Sequence, residues 1–191
     1  MRSKCIYVRG IFIALCLFLL KEHAYCSDAN DYKNQENFRQ DSLLSVLQNT
    51  TDVNVKLKSL YRLARLNWEM PEEVGYQQQL METAASVDSM RYYYDALSGL
   101  GRYYCNMNNL DSLLYWGGMF DSISKARKET PHEAFDFLNY YCRYYLNNED
   151  YELAMNEAVR LQMLSDETGY LQGAISSNEY LGLIYIVIGR D

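Results

Sequence analysis

Leu100-Gly101-Arg102-Tyr103-Tyr104-Cys105-Asn106-Met107-Asn108-Asn109 decides how this chain folds, because it recurs in altered form. Leu63-Ala64-Arg65-Leu66-Asn67-Trp68 precedes it. Tyr141-Cys142-Arg143-Tyr144-Tyr145-Leu146 and Leu181-Gly182-Leu183-Ile184-Tyr185-Ile186 follow. Each copy has a large apolar residue, then a small one, then Arg in three copies of the four, then an aromatic or apolar pair. Their first residues stand 37, 41 and 40 positions apart. A fixed period of this length marks an array of helical repeats, in which a unit too small to bury its own apolar face stacks on its neighbours.

Working outward from these copies, the apolar spacing and the turn residues lay out helices in pairs. Val53–Glu69 is the first, with Leu57, Leu60, Leu63, Ala64 and Asn67 on one face. Pro71 can open the second, where a missing N–H costs nothing. This helix runs to Val87 with Tyr76, Leu80 and Ala84 inward, and Asp88 or Ser89 caps the next. Met90–Met107 and Leu110–Lys128 form the second pair. Thr130-Pro131-His132-Glu133 reads as a capping box opening a helix that runs to Leu146. Asp150–Thr168 returns, Gly169 ends it as Gly commonly ends helices, and Tyr170–Ile188 begins a fourth pair. The last helix is apolar nearly all round, a pattern that calls for a covering partner: further sequence or a second chain, and so self-association. This predicts that the array is truncated in its fourth repeat.

Upstream, Arg2, Lys4 and Arg9 precede the apolar run 10–20, and Ala24 and Cys26 precede Ser27. That order is a secretory signal over residues 1–26. The apolar run is too short to span a bilayer comfortably. Residues 27–52 read as a polar leader with a short helix over Phe38–Gln48. The whole chain of 191 residues carries a net charge of −7, which becomes about −10 once the basic leader is set aside. An acidic body repels phosphate backbones, which argues against nucleic acid as a partner. Tyr is abundant at 19 residues and Pro scarce at 2, a composition that suits long helices packed through rings with polar edges.

The array resembles the tetratricopeptide repeat family, whose unit is an antiparallel pair of helices. The best match is Tyr141-Cys142, Tyr145 and then 148–158, Asn-Glu-Asp-Tyr-Glu-Leu-Ala-Met-Asn-Glu-Ala. Tyr76 and Leu113 stand where the family prefers Ala, Gly117 where it prefers an aromatic, and the period exceeds the family's usual one. The resemblance implies an all-α fold, a tetratricopeptide-like α-solenoid of about three and a half repeats over residues 53–191. It also implies that Ala64, Gly101, Cys142 and Gly182 are the small sites where helices touch. An exported array of this kind is similar to the N-terminal sensor region of bacterial signalling proteins, in which a membrane helix and a kinase or DNA-binding domain follow.

In the family, the residue after the small one faces the concave groove. The resemblance therefore places Arg65, Arg102 and Arg143 along it, with Tyr61 and Asn139 a turn earlier and Trp68 a turn later. Guanidinium groups in a row suit carboxylates or an acidic peptide. The plainer alternative is that each Arg pairs with an acid such as Asp95, Asp136 or Glu179 and only holds the units in register. The tyrosine runs read as core, as do Trp116 and Phe120. Glu72-Glu73 reads as a solvated helix start.

No nucleophile–base constellation, nucleotide loop or metal-ligand spacing occurs, so neither a catalytic residue nor a metal or other cofactor is indicated. Cys105 and Cys142 are either a bridge or two packed thiols. The expected function is an exported module binding a protein or peptide partner, periplasmic, at the input end of a larger signalling protein. A freestanding exported scaffold and the non-catalytic N-terminal part of an enzyme are the alternatives.

Overall fold

The computed structural model describes residues 37–189, which form helices without a strand. The expected signal at 1–26 and most of the polar leader lie outside the described residues. Residues 37–49 form helix α1, a unit by itself. The second unit holds α2 (Val53–Leu66), α3 (Pro71–Ser86), α4 (Met90–Asn106), α5 (Leu110–Arg127), α6 (Glu133–Asn147), α7 (Tyr151–Thr168) and α8 (Leu171–Ile188).

Local chemistry sets most of the boundaries. Asp52 caps α2, its Oδ1 accepting from the Asn54 N–H at 2.8 Å, and Asn109 caps α5 through the Ser112 N–H at 3.0 Å. Pro71 opens α3 as expected. Gly169 closes α7 at φ +71°, where a side chain would be strained. The other turns do the same with ordinary residues: Glu69, Asp88, Asn108, Lys128 and Glu149 all have φ between 51° and 63°. These positions recur about every 20 residues, half of the sequence period. At Ser89, Asn109, Glu129, Asp150 and Tyr170, each the residue after a left-handed one, the N–H bonds back five residues, the Schellman closure.

Two boundaries differ from expectation by more than one residue. Helix α2 stops at Leu66 rather than Glu69, because Glu69 turns left-handed. The capping box at Thr130 does not form. His132 takes the cap position of α6 in a helical conformation with no side-chain bond, and Pro131 lies before it in a turn whose carbonyl accepts from the Ala134 N–H at 3.0 Å. Of the two residues expected to cap α4, Ser89 stands there, without a side-chain bond, and Asp88 is the left-handed residue before it.

Short turns join helices that pack on each other, so consecutive helices form antiparallel hairpins. The even-numbered helices also touch in series, α2 to α4, α4 to α6 and α6 to α8. Among the described residues, α3, α5 and α7 make no such contacts with one another. The core follows from that arrangement. Leu57, Leu60, Leu63, Leu80 and Ala84 fill the first hairpin. Leu97, Leu100, Leu113, Trp116, Phe120, Phe137 and Tyr141 join α4, α5 and α6. Phe135, Leu138 and Leu161 carry the core onward to α7. Most of the tyrosine runs pack against this core, Tyr94 edge-on to Phe120 at 5.4 Å between ring centres.

Three of the four small sites are helix contacts. Ala64 and Cys142 are fully buried, and a Cβ at Gly101 would stand 2.5 Å from Cε1 of Phe137 on α6. Gly182 departs from this: it is exposed, with nothing within 4 Å of a Cβ built there. The reason is positional: Gly101 of α4 receives Phe137 of the next even-numbered helix, and no described helix lies against α8 on the side of Gly182. Leu183, Tyr185, Ile186 and Ile188 of α8 are exposed for the same reason.

Candidate functional site: a cleft across three helix ends

Each ladder arginine follows a buried small residue, so the turn of the helix carries it off the contact line towards the surface. Arg65 is exposed, and its Nη1 donates to the Tyr61 hydroxyl on the same helix at 3.0 Å. Arg102 lays its guanidinium on the Trp68 ring, 3.2 Å from the ring centre, and pairs with Glu73. Arg143 donates from Nη2 to Asn106 Oδ1 at 2.6 Å and to the Cys105 sulfur at 3.4 Å. Among the described residues it has no carboxylate partner.

Arg102, Arg143 and Trp68 come together in a cleft of about 510 Å³, which Glu69, Cys105, Asn106, Asn108 and Asn147 complete. The cleft runs across the C-terminal ends of α2, α4 and α6. Arg65, Tyr61 and Asn139 do not line it. Tyr61 instead stands edge-on to Tyr92 of α4, and Asn139 turns back to the Phe135 carbonyl at 2.8 Å.

The arginines do not pair with Asp95, Asp136 or Glu179. The acid that matters is Glu73, read from sequence as solvated and in fact fully buried. It lies in the first turn of α3, 29 residues before Arg102, and nothing in its own segment marks it. Its Oε1 takes Arg102 while its Oε2 accepts from the Glu69 N–H at 2.8 Å. One carboxylate thus closes the α2–α3 turn and anchors a guanidinium from α4. Gln77 packs beside it, over Gly99, where a Cβ would collide with the Gln77 amide. Arg102 Nη1 and Gln77 Oε1 are buried without a protein partner.

The cleft wall holds opposite charges in balance. Glu73 offsets Arg102. Asn106 bridges the other two: its Oδ1 accepts from Arg143, and its Nδ2 donates to Glu69 Oε1 at 2.7 Å. Asn108 and Asn148 exchange amide bonds at 2.8 and 3.2 Å, joining the same turns of successive hairpins. These pairs are separated by 37 and 40 residues, one repeat.

Asp95, Glu133 and Asp136 all have carboxyls raised above their ordinary range, in each case chiefly by burial. Asp136 accepts from Ser98 Oγ at 2.9 Å, which works against the rise. Cys105 and Cys142 are free thiols, and burial pushes that of Cys142 up to about 12, which keeps it protonated and unreactive. Among the described residues no group of His, Cys, Asp and Glu is placed to hold a metal ion.

Fold and cleft together define an all-α protein of antiparallel helical hairpins, with a polar, charge-balanced cleft across three of the helix ends. The chain matches no family model, no curated protein and no solved structure.

Proposed function

We propose that residues 53–191 form a tetratricopeptide-like superhelix that binds a protein or peptide partner, exported by the leader at 1–26 and serving as the periplasmic input region of a larger signalling protein. The series of even-numbered helices, and the lack of contacts between the odd-numbered ones, support a curved stack with α2, α4, α6 and α8 on the inside. The observation that carries the binding reading is Arg143. It is a permanent charge in an open cleft, held by two neutral groups and unpaired with any described acid. A carboxylate of the partner completes it by a charge-assisted pair. Apolar side chains of α8 offer a second surface, on which two copies associate.

The test is selection on the purified protein from random peptide libraries mixed from free and amidated C-termini. Enrichment of carboxylate-bearing peptides, lost in Arg143→Ala, is the expected result. Unchanged enrichment in Arg143→Ala ends the reading. Fusing residues 1–52 to a reporter enzyme active only outside the cytoplasm checks export.

A further inference from the structure

The cleft holds a guanidinium and a carboxylate that face each other without touching. Arg143 and Glu69 make no direct ion pair. The Asn106 amide stands between them, its oxygen accepting from Arg143 at 2.6 Å and its nitrogen donating to Glu69 at 2.7 Å. The protein therefore sets a positive and a negative group one amide apart. An α-amino acid zwitterion carries the same pair of functions over nearly the same span: an acceptor carboxylate and a donor ammonium on one carbon. Its polarity matches that of the Asn106 amide, acceptor towards Arg143 and donor towards Glu69.

We propose that this cleft binds a free α-amino acid as its zwitterion alongside the Asn106 amide, carboxylate on Arg143 and ammonium on Glu69, with an apolar or aromatic side chain against the part of Trp68 that the Arg102 guanidinium leaves exposed. The inference rests on reading the cleft as a ligand site, and it gives that site a small zwitterion where the reading above gives it a peptide carboxylate. Three features select this class. The charge of Arg102 is already taken up by Glu73, so the cleft as a whole is neutral and a ligand of zero net charge enters without a buried imbalance. A dianion would meet Arg143 but be repelled by Glu69. Trp68 is 48% exposed and lines the cleft, the one large apolar surface on a wall otherwise made of Asn, Arg, Glu and a thiol. The volume of about 510 Å³ lies within the range of small-molecule sites, about 300–1,000 Å³, and leaves room for a side chain beyond the zwitterion.

The experiment is calorimetric titration of the purified protein with L-phenylalanine, N-acetyl-L-phenylalanine and L-phenylalaninamide, alongside a carboxylate-bearing peptide from the library selection. L-phenylalanine is expected to bind, and each capped analogue to bind about tenfold or more weakly, since each forfeits one charge-assisted contact. The variants give a crossed pattern. Arg143→Ala weakens L-phenylalanine and N-acetyl-L-phenylalanine but leaves L-phenylalaninamide unchanged, and Glu69→Gln weakens L-phenylalanine and the amide but leaves the N-acetyl form unchanged. A merely structural role for either residue would weaken all three together. Binding of N-acetyl-L-phenylalanine as tight as that of L-phenylalanine, or no binding of L-phenylalanine up to its solubility, overturns the proposal. If the peptide then still binds in an Arg143-dependent way, the binding-module reading stands alone. If neither binds, both fall.

Discussion

Arg102→Ala is the perturbation that most directly tests how this fold holds its cleft. Glu73 is fully buried, and the Arg102 side chain is 13% exposed. Removing Arg102 leaves a carboxylate inside the protein with only the Glu69 N–H, at 2.8 Å, and the Gln77 amide, at 3.5 Å, to support it. Breaking a buried pair in this way costs about 3–5 kcal/mol. Glu73→Gln is milder. The amide keeps the volume and still accepts from Glu69, while the stranded guanidinium borders the cleft and can reach water, so about 1.5–3 kcal/mol is expected. The double variant Glu73→Gln/Arg102→Met removes both charges and keeps most of the packing. It should return to within about 1–2 kcal/mol of the wild type, so the two single costs do not add. Urea unfolding followed by circular dichroism reads all three. For a unit of this size each kcal/mol moves the thermal midpoint by about 2–4 °C, so Arg102→Ala should lose about 6–20 °C. A loss below about 1 kcal/mol for Arg102→Ala, or additive single costs, would refute the claim that this pair ties α3 to α4.

The small sites give a paired prediction by the same assay: Gly101→Ala drives a Cβ into Phe137, which Phe120, Tyr140 and Tyr141 hold in place, and should destabilise by about 1–2 kcal/mol, whereas Gly182→Ala meets nothing and should stabilise by about 0.5–1 kcal/mol. Acidic pH should favour the folded state through Asp136. Burial raises its folded-state carboxyl above the unfolded value of 3.8, so its contribution is present below that value and is lost as pH rises through the raised one; the wild type should gain stability over Asp136→Asn as pH falls towards about 4. Self-association should appear in sedimentation as a concentration-dependent rise in mass. Ile186→Glu, at a residue 52% exposed, should abolish that rise without moving the unfolding midpoint at concentrations where the wild type is monomeric.

The helices were legible because their signals are local. Apolar spacing, Pro71 at a start and Gly169 at an end each act within one or two turns of chain, and the structure puts helices where they point. Ala64, Gly101 and Cys142 were legible through their period. Thr130-Pro131-His132-Glu133 misled for an instructive reason. It has the residues of a capping box, yet Pro131 is spent on the turn before α6, and the helix starts two residues later. Gly182 carries the same sequence signal as Gly101, but its close approach depends on a helix that no described residue supplies.

The cleft divides along the same line. Arg102 and Arg143 could be found because they repeat at a fixed offset from the small residues, and Trp68 because it lies a helical turn after Ala64. Their partners could not, because each partner is chosen across a repeat: Glu73 lies 29 residues before Arg102, Asn106 lies 37 before Arg143, and Glu69 lies 37 before Asn106. No helical or strand period connects such positions, so a reading along the chain assigns Glu73 to solvent and pairs the arginines with the acids nearest in sequence. The spacing has a consequence for function. Since the bonds that shape the cleft join one hairpin to the next, anything that bridges Arg143 and Glu69 also ties the ends of α2, α4 and α6 together. A ligand there would stiffen the stack across its hairpins, and the contacts that escape sequence reading are the ones through which binding would be felt along the array.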